Sequence, residues 1–147
     1  MKAKVLVARA TFPDVIERLQ QEFEVESNQE DRIFSPAELL QKMQGKDAVV
    51  ITASEKMTAE VIAANPQLKA ICNVAVGYNN IDVAAATAAG VMVTNTPDVL
   101  NETTADYAWT LLMANARRVC ESEHWLRAGH WTVSYTHLRA HETGRNL

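Results

Sequence analysis

Residues 74–82 read Val-Ala-Val-Gly-Tyr-Asn-Asn-Ile-Asp, a hydrophobic run that breaks at Gly77 and restarts as a helical pattern. A turn of this kind can hold an anion. Backbone N–H groups at a strand end, beside a helix N-terminus, are fixed donors that do not compete for protons, which suits a carboxylate ligand. Ligands of parallel α/β sheets bind at the carboxyl ends of the strands, where Val76-Gly77-Tyr78 is expected. Glycine there would let the backbone approach a ligand with no Cβ in the way. The plainer reading is a glycine turn joining strand to helix. Ala53-Ser54 follows an earlier apolar run at the same expected edge, and by residue type alone Ser54 is a turn or cap residue. Thr103-Thr104-Ala105-Asp106 opens a long helical pattern, where threonines act as caps and an acidic residue favours the helix dipole.

Other polar residues offer less. Arg117 and Arg118 fall in the middle of that helical pattern and read as a solvated face. His124 and His130 have no carboxylate or nucleophile at a spacing that makes a triad. Trp109, Trp125 and Trp131 read as core or interface residues. No GxGxxG occurs, and the turn after the first apolar run is Ala8-Arg9-Ala10-Thr11, so this region is not itself a dinucleotide site of the usual kind. Cys72 and Cys120 lack metal-type spacing and read as two buried thiols in a reducing cytosol.

The elements that must position these residues alternate. Strand-like runs recur at Val5–Ala8, Phe23–Ser27, Ala48–Thr52, Ala70–Ala75 and Val91–Thr94, with helical patterns at about 13–21, 36–43, 58–64 and 81–89. This order predicts an α/β fold with a flavodoxin-like parallel five-stranded sheet flanked by helices, buried on both faces. Ser35 before Pro36 marks a helix start, Asn80 is a candidate cap for the fourth helix, and Gly90 can close it. From about residue 102 to 128, apolar residues at Ala105, Ala108, Trp109, Leu112, Ala116 and Val119 keep helical spacing. One helix of that length spans roughly 40 Å, enough to cross to a second domain or a partner subunit. The expected organisation is residues 1–100 as one domain, 101–131 as a crossing helix, and 132–147 as a separate tail.

The 147 residues carry a net charge of −4, with 48% hydrophobic and 22% charged residues. That is ordinary globular composition, giving no reason to expect nucleic acid or an anionic membrane as partner. The apolar runs fall far short of the roughly 20 residues of a spanning helix, and the basic N-terminus is followed by too short an apolar run for a secretory signal. A cytoplasmic protein is expected.

Four fragments in register carry a family likeness: Val-Gly-Tyr-Asn-Asn-Ile-Asp from residue 76, Thr-Pro-Asp-Val-Leu from 96, Thr-Thr-Ala-Asp from 103 and Ala-Gly-His-Trp from 128. Together they resemble the D-isomer-specific 2-hydroxyacid dehydrogenases, glyoxylate/hydroxypyruvate reductase branch. The resemblance implies a substrate domain interrupted by a Rossmann domain after the crossing helix. It implies reduction of a small 2-keto acid to a D-2-hydroxy acid with NAD or NADP as cofactor, and a homodimeric parent. It places Val76 and Gly77, with the loop at Ala53 and Ser54, in the substrate pocket, and puts Thr104 near the nicotinamide. Asp106 stands where the family more often has Glu. The family's catalytic Arg, Glu and His lie beyond this chain, so the resemblance implies an N-terminal fragment, inactive alone, that binds the dinucleotide poorly. Residues 133–143, Val-Ser-Tyr-Thr-His-Leu-Arg-Ala-His-Glu-Thr, resemble one translated frame of a transposase-type sequencing adapter, so the tail is expected to be non-native. The family also contains non-catalytic, corepressor-like proteins, the alternative reading. A receiver-type signalling domain shares the element order but needs acidic residues where this chain has Ala8-Arg9-Ala10 and Thr52-Ala53-Ser54.

Overall fold

The computed structural model describes residues 2–130, which fall into two compact units: one up to Val99 and one from Leu100 onward. The expected tail from 132 and Trp131 lie outside the described residues.

The first unit alternates strand and helix throughout: β1 (Lys4–Val7), α1 (Pro13–Glu22), β2 (Glu24–Ser27), α2 (Pro36–Met43), β3 (Ala48–Ile51), α3 (Ala59–Ala63), β4 (Ala70–Asn73), α4 (Val83–Ala88) and β5 (Met92–Thr94). All pairings are parallel, in the order β2-β1-β3-β4-β5. The flavodoxin-like sheet read from the sequence is therefore present. Right-handed crossovers explain where the helices lie. The chain steps one way from β1 to β2 and the other way thereafter, so α1 is directed to one face and α2, α3 and α4 to the opposite one.

That asymmetry corrects one expectation. The sheet is not equally buried on both faces within this unit. Leu6, Val49, Ile51 and Ile71 pack with Leu39 and Met43 of α2, Val61 and Ile62 of α3 and Ala86 of α4 into one core. On the alternate positions Ala48, Val50, Ala70 and Cys72 are half-buried, Met92 is exposed, and α1 has no fully buried residue. Among the five strands only β1 has fully buried residues on both faces, since β2 and β3 flank it.

Local chemistry starts and stops the helices. Ser35 and Glu38 form a reciprocal capping box on α2, with Glu38 Oε2 accepting from the Ser35 amide at 2.8 Å. The Ser35 backbone and hydroxyl, then Arg32, hold the Glu38 carboxyl down at about 2. Thr58 caps α3 through the Val61 amide, and Gly90 closes α4 at φ +70°, a conformation that favours glycine. The α4 cap is Asp82, whose Oδ1 accepts from the Ala85 amide at 2.9 Å, and not Asn80. A turn from Tyr78 to Ile81 and a parallel bridge between Met57 and Ile81 delay the helix by two residues and draw Asn80 inward.

The second unit corrects another expectation. The long crossing helix is two helices, α5 (Asn101–Ala116) and α6 (Val119–Arg127). The break is Arg118, at φ 51° and ψ 40°, left-handed backbone that a non-glycine residue adopts only with compensation. Its guanidinium pairs with Glu121, and its carbonyl accepts from both the amide and the hydroxyl of Ser122. Local bonds of this sort prevail because no packed face holds α5 and α6 in one line: neither contains a buried residue. Trp109 and Trp125 are accordingly exposed rather than core, with Trp125 Nε1 donating to the His130 carbonyl at 2.9 Å. Cys120 is exposed and Cys72 half-buried, so the two thiols are not buried as expected.

Candidate functional site

Three carboxyl-terminal loops of neighbouring strands meet at one edge of the first unit: residues 52–57 after β3, 74–80 after β4 and 95–97 after β5. The second of these carries the candidate anion turn. Its three successive carbonyls are all taken by the protein. Ala75 O accepts from the Thr96 amide at 3.0 Å, Val76 O from Asn95 Nδ2 at 2.8 Å, and Gly77 O from Asn73 Nδ2 at 2.8 Å. Every peptide bond of the described residues is trans, and in a trans peptide the N–H points opposite the carbonyl. Fixing those three oxygens therefore aims the N–H groups of Val76, Gly77 and Tyr78 away from their anchors. None of the three donates a backbone hydrogen bond to the described residues, and all three residues are exposed.

Gly77 needs no glycine for the protein's own sake. Its φ lies outside the left-handed region, and a Cβ would meet only Asn79 Oδ1, at an ordinary 3.7 Å. A shallow cleft of about 210 Å³ opens beside this turn, lined by Tyr78, Val83, Val93, Thr94 and Asn95.

Ala53 and Ser54 lie on the adjacent loop, both exposed, because β3 and β4 pair in register with Ile51 opposite Asn73. Ser54 donates its amide weakly to Thr52 Oγ1 at 3.4 Å and caps no helix, since Thr58 does that for α3. The structure thus brings Val76, Gly77, Ala53 and Ser54 to neighbouring loops of one edge. Thr104 belongs to the second unit. It is exposed on the first turn of α5, its amide bonded to the Leu100 carbonyl at 2.8 Å, and it is not a cap: the N-cap is Leu100, with no side-chain cap bond.

Sequence reading missed the buried polar residues behind these loops. Asn80 Nδ2 donates to the carbonyls of Thr52 and Glu55, each at 3.0 Å, and lies against Asn73 at 3.4 Å. Glu55 Oε2 accepts from both the amide and the hydroxyl of Thr52 at 2.9 Å, while its Oε1 has no partner among the described residues. The available signal was Asn73 at an inward-alternating position of β4, where an apolar residue would be expected.

The turn after β1 is not a glycine-rich dinucleotide turn: it has no glycine, and Arg9 is drawn across it to Asp31 at 2.9 Å. Among the described residues there is no cluster of three His, Cys, Asp or Glu able to hold a metal. Nor is any described helix long and apolar enough to cross a membrane.

Fold and edge thus define a parallel α/β unit with exposed backbone donors at the carboxyl edge of its sheet. The chain belongs to the D-isomer specific 2-hydroxyacid dehydrogenase family, whose catalytic-domain profile matches residues 5–145. It is 49% identical over 131 residues to a glyoxylate reductase of Thermococcus kodakarensis, an alignment covering 89% of this chain and 39% of that protein. Among solved structures it resembles the TT0316 protein of Thermus thermophilus, at 36% identity and a TM-score of 0.78, covering 92% of this chain and 43% of the other. It also resembles an NADPH-dependent glyoxylate/hydroxypyruvate reductase of Sinorhizobium meliloti in complex with NADP and malonate, at 31% identity and a TM-score of 0.69, covering 99% and 44%. The chain spans about two fifths of the length of the curated relatives it matches.

Proposed function

We propose that the protein containing this chain reduces a small 2-keto acid of the glyoxylate or hydroxypyruvate type to a D-2-hydroxy acid with NADH or NADPH. When bound, the nicotinamide would supply the hydride for the keto carbon, with a proton going to the keto oxygen. This chain's own contribution is the carboxylate end: Val76 and Gly77 supply N–H donors, and Ala53 and Ser54 form the opposing wall. The observation that carries the reading is the set of three carbonyls pinned inward after β4, which leaves the corresponding N–H groups aimed outward without an acceptor. Such donors hold a carboxylate at any pH at which it is ionised, and cost no reorganisation when it arrives.

The domain reading is part of the same proposal. Residues 1–100 form the N-terminal part of the substrate domain, and 101–131 lead toward a Rossmann domain, with Thr104 near the nicotinamide. The exposed apolar side chains of α5, Trp109 at 65% and Leu112 at 54%, support a homodimer of the parent in which that helix is covered.

The test is Gly77→Val in the intact dehydrogenase carrying this segment. The free space around Gly77 lets the variant fold, whereas a bulky side chain blocks the approach of a ligand. KM for glyoxylate should rise about tenfold, the scale of one hydrogen bond to a charged group, with a smaller change in thermal stability. An unchanged KM removes Gly77 from the site. The chain alone should show no NADH binding by calorimetry, and micromolar binding would contradict a cofactor domain elsewhere.

A further inference from the structure

Behind the donor turn lies a set of buried polar side chains that joins it to the neighbouring loop. Asn80 is 4% exposed, Asn73 2% and Glu55 2%. A polar side chain so buried is costly unless satisfied; both asparagines and Glu55 Oε2 hold loop backbone, and Glu55 Oε1 has no partner among the described residues. Asn80 grips both ends of the segment that carries Ala53 and Ser54, through the carbonyls of Thr52 and Glu55. Its own carbonyl accepts from the Met57 amide at 2.8 Å. The Glu55 carboxylate closes the same segment from inside, onto the Thr52 amide and hydroxyl. Asn73, touching Asn80, takes the Gly77 carbonyl and so sets the direction of the Tyr78 N–H.

We infer that Asn80 and Asn73 form a positioning relay that fixes the loop after β3 and the loop after β4 relative to each other, so that both walls of the carboxylate site are set before the ligand arrives. The inference rests on the site reading above, and goes beyond it by assigning a role to residues that touch no substrate. A relay of this kind acts on ligand affinity: without it each loop remains folded, but their relative aim is no longer fixed and binding must order it. A merely structural pair would lower stability and leave the affinity of the folded enzyme alone.

The experiment uses the intact dehydrogenase carrying this segment, with glyoxylate as substrate and oxalate as a non-reacting dicarboxylate probe. Asn80→Asp keeps shape and removes both donated bonds to the 52–55 loop. Thr52→Val, isosteric and half-buried, removes the hydroxyl bond to Glu55 and the weak Ser54 amide bond, loosening the loop that Asn80 grips, and serves if Asn80→Asp does not fold. The expected result is a KM raised about tenfold for Asn80→Asp and about threefold for Thr52→Val. The oxalate inhibition constant should rise in parallel, and kcat should stay within about twofold, the signature of lost uniform binding. Combined with Gly77→Val, Asn80→Asp should be less than additive, because both act on the same loops. If Gly77→Val raises KM but the folded variants of the relay do not, the relay is overturned and the site reading stands. If Gly77→Val leaves KM unchanged, the site reading fails and takes the relay with it.

Discussion

The two units of this chain use apolar residues in opposite ways. In the first, Leu6, Met43, Ile51, Met57 and Ile71 are all at most 1% exposed, and the buried asparagines donate to backbone carbonyls. In the second, Trp109, Leu111, Leu112 and Met113 lie between 43% and 65% exposed along α5, and the helices are held by bonds a few residues long. Both stretches are rich in apolar residues, but α5 carries them round the helix and not on one side. What separates them is that the first unit's own sheet and helices cover its apolar residues, while neither helix of the second has a buried residue. An apolar composition calls for burial, and only a packed neighbour provides it.

That contrast can be broken most directly in the cores. Ile71→Ala should destabilise the first unit by about 3 kcal/mol, lost transfer plus the cavity left behind. Leu112→Ala should change the same unfolding transition by less than about 0.5 kcal/mol, as a surface substitution. Urea unfolding of the chain followed by circular dichroism measures both, and equal losses would show that α5 is buried in solution. Ser35→Ala, which removes one half of the α2 capping box, should cost about 1 kcal/mol in the same transition. A smaller effect is expected from pH. The Glu38 carboxyl is held down at about 2 from 4.5, chiefly by the Ser35 backbone. A group depressed on folding stabilises above its unfolded value and loses that contribution as pH falls toward the folded one. The difference in urea midpoint between the wild type and Glu38→Gln should therefore be full above about pH 5.5 and fade toward about pH 2. A difference unchanged across that window would mean the carboxylate charge is not what the cap uses. Least affected should be Arg118→Ala, which breaks an exposed pair with Glu121 and should leave the urea midpoint unchanged within error.

The legible parts of the fold were those where one residue type has one good use. Ser35-Pro36 and Glu38 meant a helix start, Gly90 meant a left-handed stop, and five short apolar runs between helical patterns meant a parallel sheet. Asn80 was misread because asparagine has two good uses. It caps helices and it satisfies buried carbonyls, and only the bridge between Met57 and Ile81 shows which one applies. Arg117-Arg118 was read as a solvated stretch of one helix because nothing in their types forbids helix. The left-handed turn there depends on Glu121 and Ser122 offering local partners where no packed face opposes it.

The sequence by itself determined the element order, the helix caps at Ser35 and Gly90, and the position of an exposed turn at Val76-Gly77, since these depend on residues a few positions apart. It also carried the family likeness, as a set of short motifs in register. The tertiary structure decided what depends on distant segments meeting. It showed which face of the sheet is packed, that the Val76 carbonyl is taken by Asn95 and the Gly77 carbonyl by Asn73, and that Asn80 reaches back to Thr52 and Glu55. Those bonds give the turn its outward donors, and they exist only because parallel pairing sets β3, β4 and β5 side by side with their carboxyl ends at one edge.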